Sequence, residues 1–114
     1  MPIKSLRRYE RKKMVSMIHV GWQDASGNDK AVKTRSSDIS EAGLRFELPE
    51  AVPDRSFVSL RSQTLGLNTR ASVRSCVRQG NNYSIGVEFV GGFRWRAPNE
   101  EVRKALEEQQ LLAV

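Results

Sequence analysis

The sequence predicts a mainly β protein, a small six-stranded antiparallel barrel followed by a C-terminal α-helix. Three observations carry this. Short segments alternate apolar and polar residues with the period of two that a half-buried strand requires. Clusters of turn-forming residues separate those segments at regular intervals. Near the C-terminus the alternation gives way to a helical spacing behind a capping residue. Regular short strands of this kind close into a barrel, and closure leaves no strand edge exposed.

The elements follow in order. Residues 1–13 are strongly basic, with Lys4, Arg7, Arg8, Arg11, Lys12 and Lys13 against Glu10 alone. Like charges repel along such a stretch, so it is expected to be a mobile arm. The barrel with its helix is expected over residues 14–114. From Met14 to Trp22, the residues Met14, Ile18, Val20 and Trp22 fall on one strand face, with Ser16 as the exception. Gln23 to Asp29 is rich in Asp, Ser, Gly and Asn, which tolerate turn geometry. Lys30 to Ser37 alternates weakly and ends in an Asp38–Gly43 turn.

Leu44, Phe46 and Leu48 alternate with Arg45 and Glu47, a half-buried strand. Pro49 and Pro53 bracket a loop, and Phe57 to Arg61 is the next strand. Leu65, Gly66 and Leu67 receive no assignment. From Ala71, the residues Ala71, Val73, Ser75 and Val77 oppose Ser72, Arg74, Cys76 and Arg78. Gln79-Gly80-Asn81-Asn82 signals a hairpin. Tyr83, Ile85, Val87 and Phe89 define the last strand, and Gly91-Gly92 ends it. Asn99 can cap a helix over about residues 98–112, and Glu100 and Glu101 suit its positive end. Val102, Ala105 and Leu106 share the face by which it would dock.

Composition narrows the functional classes. The 114 residues suffice for one domain, and 39% hydrophobic with 28% charged residues is an ordinary globular balance. A net charge of +6 favours anionic partners. Cys76 is the only cysteine and His19 the only histidine, so the chain has neither an intramolecular disulfide nor a Cys/His zinc cluster. No apolar run approaches the ~20 residues of a membrane span. No signal-peptide pattern stands at the N-terminus, and the expected location is cytoplasmic. No nucleophile elbow, P-loop or catalytic constellation occurs, so an enzyme is not expected. Trp22 and Trp95 read as packing residues, and Phe93-Arg94-Trp95-Arg96 as a weaker candidate for a docking patch.

Two clusters carry the chemistry. Arg7-Arg8-Tyr9-Glu10-Arg11 supplies planar cationic forks that grip phosphate oxygens, or the N7 and O6 of guanine, with paired hydrogen bonds. In an extended segment Arg7 and Arg11 project to the same side, about 13 Å apart at roughly 3.3 Å per residue. Asp38-Ile39-Ser40-Glu41-Ala42-Gly43 supplies a carboxylate for the N–H edge of guanine, a small hydroxyl, and a glycine that permits close approach. Together these groups suit a guanine nucleotide bearing phosphates.

The R-x-x-x-R cluster, the D-x-S-x-x-G turn, the closing Ser84-Ile85-Gly86-Val87-Glu88-Phe89 strand and the C-terminal helix resemble the PilZ family of cyclic di-GMP receptors. The resemblance covers essentially the whole chain and implies a PilZ-like split barrel. It implicates Arg7, Arg8, Arg11, Asp38, Ser40 and Gly43 in binding cyclic di-GMP, with Arg74 or Cys76 as a further contact. It implies a bacterial second-messenger role in motility, exopolysaccharide and biofilm formation or virulence. No cofactor or metal is implied. The partners implied are cyclic di-GMP, one molecule or an intercalated pair, and an unidentified downstream protein. Two further readings compete, a nucleic-acid-binding small barrel, supported by the charge and the tryptophans although nucleic acid is not expected as a partner, and then a ligand-independent interaction adaptor.

Overall fold

The computed structural model describes residues 12–98 and 102–104. Seven antiparallel strands follow one another: β1 (Lys12–Lys13), β2 (Met17–Gln23), β3 (Asp29–Ile39), β4 (Gly43–Leu48), β5 (Phe57–Ser62), β6 (Leu67–Gln79) and β7 (Asn82–Phe89). Six of them close on themselves in the order β3-β2-β5-β6-β7-β4, with β4 pairing back to β3. The two-residue β1 lies alongside the C-terminal end of β3. Closure satisfies the predicted barrel.

Each strand turns its apolar positions inward. Ile18, Val20 and Trp22 of β2, Leu44, Phe46 and Leu48 of β4, Val58 and Leu60 of β5, and Ile85, Val87 and Phe89 of β7 form one core. Two strands run longer than their apolar patterns suggest. β3 carries Ser36, Asp38 and Ile39 as ladder residues, so Asp38 stands in a strand rather than in a turn. β6 begins at Leu67, directly after Gly66, in the segment that the alternation leaves unassigned.

The expected Met14–Trp22 strand is broken. Met14 to Ser16 leave the regular ladder, with the Met14 N–H donating to the Ser37 carbonyl and the Ser16 carbonyl accepting from the Ser36 N–H, and the buried Ser36 side chain takes up two more of their backbone groups. Its hydroxyl donates to the Met14 carbonyl and accepts from the Ser16 N–H at 3.1 Å. At the β2–β3 turn, Asp24 accepts from Asn28 N and Ser26 N at 2.9 Å each, and these bonds hold its carboxyl below the usual range. The Gly80-Asn81 hairpin joins β6 to β7 as read from the sequence. Gly80 takes a φ of 61°, the left-handed conformation such a turn needs at its first central residue.

In β6 the alternation fails at one point. Val73 opposes Val87 but Ser75 opposes Gly86, so Arg74 is the extra residue of a β-bulge. Beyond it the faces exchange. Cys76 opposes Ile85 and packs against the core, while Val77 is 54% exposed. Arg74, Cys76 and Arg78 therefore do not share a face, contrary to the simple alternation.

After β7 the chain folds back over one barrel end. Phe93 meets Phe89 edge-on with ring centroids 5.1 Å apart. Trp95 is buried, its indole N–H donating to the Leu65 carbonyl at 2.7 Å and its backbone N–H to the Glu41 carbonyl at 2.8 Å. Both tryptophans are packing residues, as expected. Residues 102–104 form a helical turn with Val102 buried. The rest of the expected helix, Ala105 and Leu106 included, lies outside the described residues. Among the described residues, no helix is long and apolar enough to cross a membrane.

Candidate functional site

The loop between β3 and β4 is built around one hydroxyl. Ser40 Oγ accepts from Gly43 N at 3.2 Å and from Ala42 N at 3.3 Å. The Ser40 N–H donates to the Gly43 carbonyl at 2.8 Å, closing the turn. The two intervening carbonyls are tied outward, Ala42 to the N–H of Phe89 at 2.7 Å and Glu41 to that of Trp95. Glu41 also pairs with Arg96 at 3.1 Å. A serine satisfies this loop because its short side chain folds back on its own backbone.

Gly43 is required for proximity. A Cβ there would lie 2.0 Å from the Val87 carbonyl oxygen, and Gly43 is not among the residues with positive φ. Its absent side chain lets β4 press against β7.

The strand registers then align a row across the outer face. Lys13 opposes Asp38, Asp38 opposes Arg45, Arg45 opposes Gly86, and Gly86 opposes Ser75. At about 4.8 Å per strand step the row extends roughly 19 Å. Asp38 and Arg45 are each about three-quarters buried at the side chain, with Arg45 Nε 3.9 Å from Asp38 Oδ2. The Arg45 guanidinium also donates to Ser84 Oγ at 3.1 Å. It lies over Gly86, where a Cβ would come within 3.1 Å of it. The row thus offers a carboxylate acceptor and a guanidinium fixed over Gly86, whose missing side chain leaves room for Arg45 and Ser75.

The sequence-derived residues divide as follows. Asp38, Ser40 and Gly43 come together in this loop and its flanking strands. Arg7, Arg8 and Arg11 lie outside the described residues, though the chain that follows Arg11 enters β1 and runs antiparallel to Asp38–Ile39. Arg74 is exposed and pairs with Glu88 at 3.1 Å. Cys76 packs on the core side, and the bulge puts Ser75 in the row instead. The sequence marks Arg45 only as a polar residue of an alternating strand. Its place in the row depends on Gly86 and Ser84, which belong to another strand, so no local signal reveals it. Among the described residues no cluster suited to a metal ion occurs.

Fold and loop together define a class: a small closed antiparallel barrel with a D-x-S-x-x-G loop opening onto its outer face. The chain belongs to the PilZ domain family, whose model matches residues 5–109. Solved structures share the fold at low identity. The PilZ domain of Escherichia coli YcgR, determined with c-di-GMP, is 16% identical with a TM-score of 0.54, and the match covers 94% of this chain and 93% of that one. Bacillus subtilis MotI/DgrA, an inhibitor of motility, is 15% identical with a TM-score of 0.56, covering 94% of this chain and 51% of that one. The K. pneumonia MrkH–c-di-GMP complex is 13% identical with a TM-score of 0.56, covering 92% and 51%. The chain therefore spans about half the length of MotI and MrkH. No curated protein matches it.

Proposed function

We propose that this chain is a cyclic di-GMP receptor that acts on a partner protein, with Arg7, Arg8 and Arg11 closing over the Asp38–Gly43 loop. The observation that carries this reading is the pairing of β1 with β3. Lys13 opposes Asp38, so the arginine run is joined directly to a strand lying beside the candidate carboxylate. Arginine forks meet phosphate or the guanine N7 and O6, and Asp38 accepts from the guanine N–H edge. Arg45, fixed across Gly86, supplies a further guanidinium on the same face. Family membership supports the ligand's identity, as does the c-di-GMP held by the YcgR and MrkH structures.

Binding would draw the basic segment against the barrel and change the surface a partner meets. Ordering that segment costs part of the interaction energy. Arg74 and Cys76 are weaker candidates, the first because Glu88 engages it and the second because it packs inward.

Isothermal titration calorimetry of wild type and Arg11→Ala against cyclic di-GMP, with GTP as control, tests the reading. Micromolar or tighter binding confined to wild type is the expected result, and its stoichiometry separates one bound ligand from an intercalated pair. Equal binding by a folded Arg11→Ala variant overturns the site. Absence of heat with both proteins overturns the receptor.

A further inference from the structure

The opposite wall of the barrel has a different character. There β3, β2, β5 and β6 are neighbours, and their outward residues fall into cross-strand rows. Lys33 opposes His19, His19 opposes Arg61, and Arg61 opposes Asn68. Alongside runs a row of small residues: Ala31 opposes Gly21, and Gly21 opposes Ser59. A Cβ at Gly21 would lie 2.7 Å from Ser59 Oγ, so the glycine keeps this strip low. The result is a groove of about 380 Å³ with Lys33, His19 and Arg61 along one side.

Arg35 stands next on β3, opposite Met17. Lys33, Arg35 and Arg61 have no ion-pair partner among the described residues. Asp24 and Asp29 stand at the far, β2–β3 turn end of this wall, and Lys30 is matched by Glu50 at 3.5 Å. Unmatched cations on a shared wall attract an anionic partner.

The surroundings narrow the kind of partner. Of the four exposed large hydrophobic residues among those described, Met17 and Phe57 belong to this wall, and Val15 lies just ahead of Met17 in the chain. They are 41%, 52% and 56% exposed respectively. A phosphate backbone gains nothing from aliphatic side chains. Phe57 is no open platform for a base either, because the Arg70 guanidinium lies 4.9 Å from its ring centroid. Met, Phe and Arg set together are what protein interfaces enrich.

We infer that this wall docks a partner protein through an acidic segment that also carries apolar side chains. A carboxylate enters the groove between Lys33 and Arg61, and apolar residues of the segment cover Met17, beside Arg35, and the adjoining Val15. This surface is separate from the Asp38–Gly43 loop, and the inference stands without the ligand assignment.

The test uses the full chain and a labelled peptide of Asp and Glu interspersed with Leu and Phe, followed by fluorescence anisotropy at low and physiological salt. A peptide with Lys in place of the acids and an oligo-dT strand are the comparisons. The acidic peptide is expected to bind. Arg61→Glu and Lys33→Glu should each weaken it by about tenfold, as for close interfacial charges. Met17→Ser should weaken it as well. At physiological salt Arg78→Glu, the same charge change away from this wall, should leave it within about twofold, since screening removes distant charges. Unfolding transitions confirm that the variants are folded. The inference is overturned by equal losses in Arg61→Glu and Arg78→Glu, by indifference to Met17→Ser, by tighter binding of the oligonucleotide through the same residues, or by no binding of the peptide at low salt.

Discussion

A single methyl group is enough to test the loop at Gly43. The Val87 carbonyl oxygen occupies the space a Cβ would need, so Gly43→Ala must push β4 away from β7. The expected cost is about 1–3 kcal/mol or more, as for other overpacked sites, read as a lower midpoint in thermal or urea unfolding. Asp38→Ala should behave in the opposite way. Its contact with Arg45 is long at 3.9 Å, and although both side chains are about three-quarters buried, so wide a separation contributes little. Stability should stay within about 1 kcal/mol of wild type while calorimetric binding of cyclic di-GMP is abolished or strongly weakened. The identities of Asp38, Ser40 and Gly43 were legible as a local pattern. The need for glycine was not, because the group that excludes a side chain belongs to Val87 on a distant strand. Arg45 is hidden in the sequence for the same reason.

Strand identity was readable wherever apolar residues alternate without interruption, as in β4, β5 and β7. It failed where hydrogen bonding overrides pattern. The Ser36 side chain replaces part of the ladder between Met14 and Ser16, and nothing in an isolated serine announces that role. The bulge at Arg74 is equally silent, because only the partner strand reveals which residue is extra. Two matched substitutions check the exchange of faces it causes. Val77→Thr, on the exposed face, should change stability by less than about 0.5 kcal/mol. Val73→Thr, fully buried, should cost about 1–3 kcal/mol because its hydroxyl loses water. Equal effects in chemical denaturation would show that the faces do not exchange.

One core serves all six barrel strands, so damage to it is not confined to one wall. Val87→Asp sets a carboxylate among Leu44, Val73 and their neighbours, and the expected result is loss of the folded state in circular dichroism and amide NMR dispersion. The closed architecture was legible from strand number and spacing, because six short strands with a common apolar face have no better way to cover their edges. Which strands meet to close it was not. The closing pair, β3 with β4, is laddered only at Ser36, Asp38 and Ile39, with a register shift at Ser37 that the Ser37 and Thr34 hydroxyls bridge by bonding the Arg45 and Glu47 carbonyls. Every other pair in the ring matches at least three consecutive residues without a shift. A short, irregular ladder opens at low cost. This seam should therefore breathe first, and the Asp38 carboxylate sits on it. Amide hydrogen exchange at Arg45, whose backbone faces β3, becomes a gauge of the seam: rapid in the free protein, and slowed by cyclic di-GMP if the ligand binds as proposed.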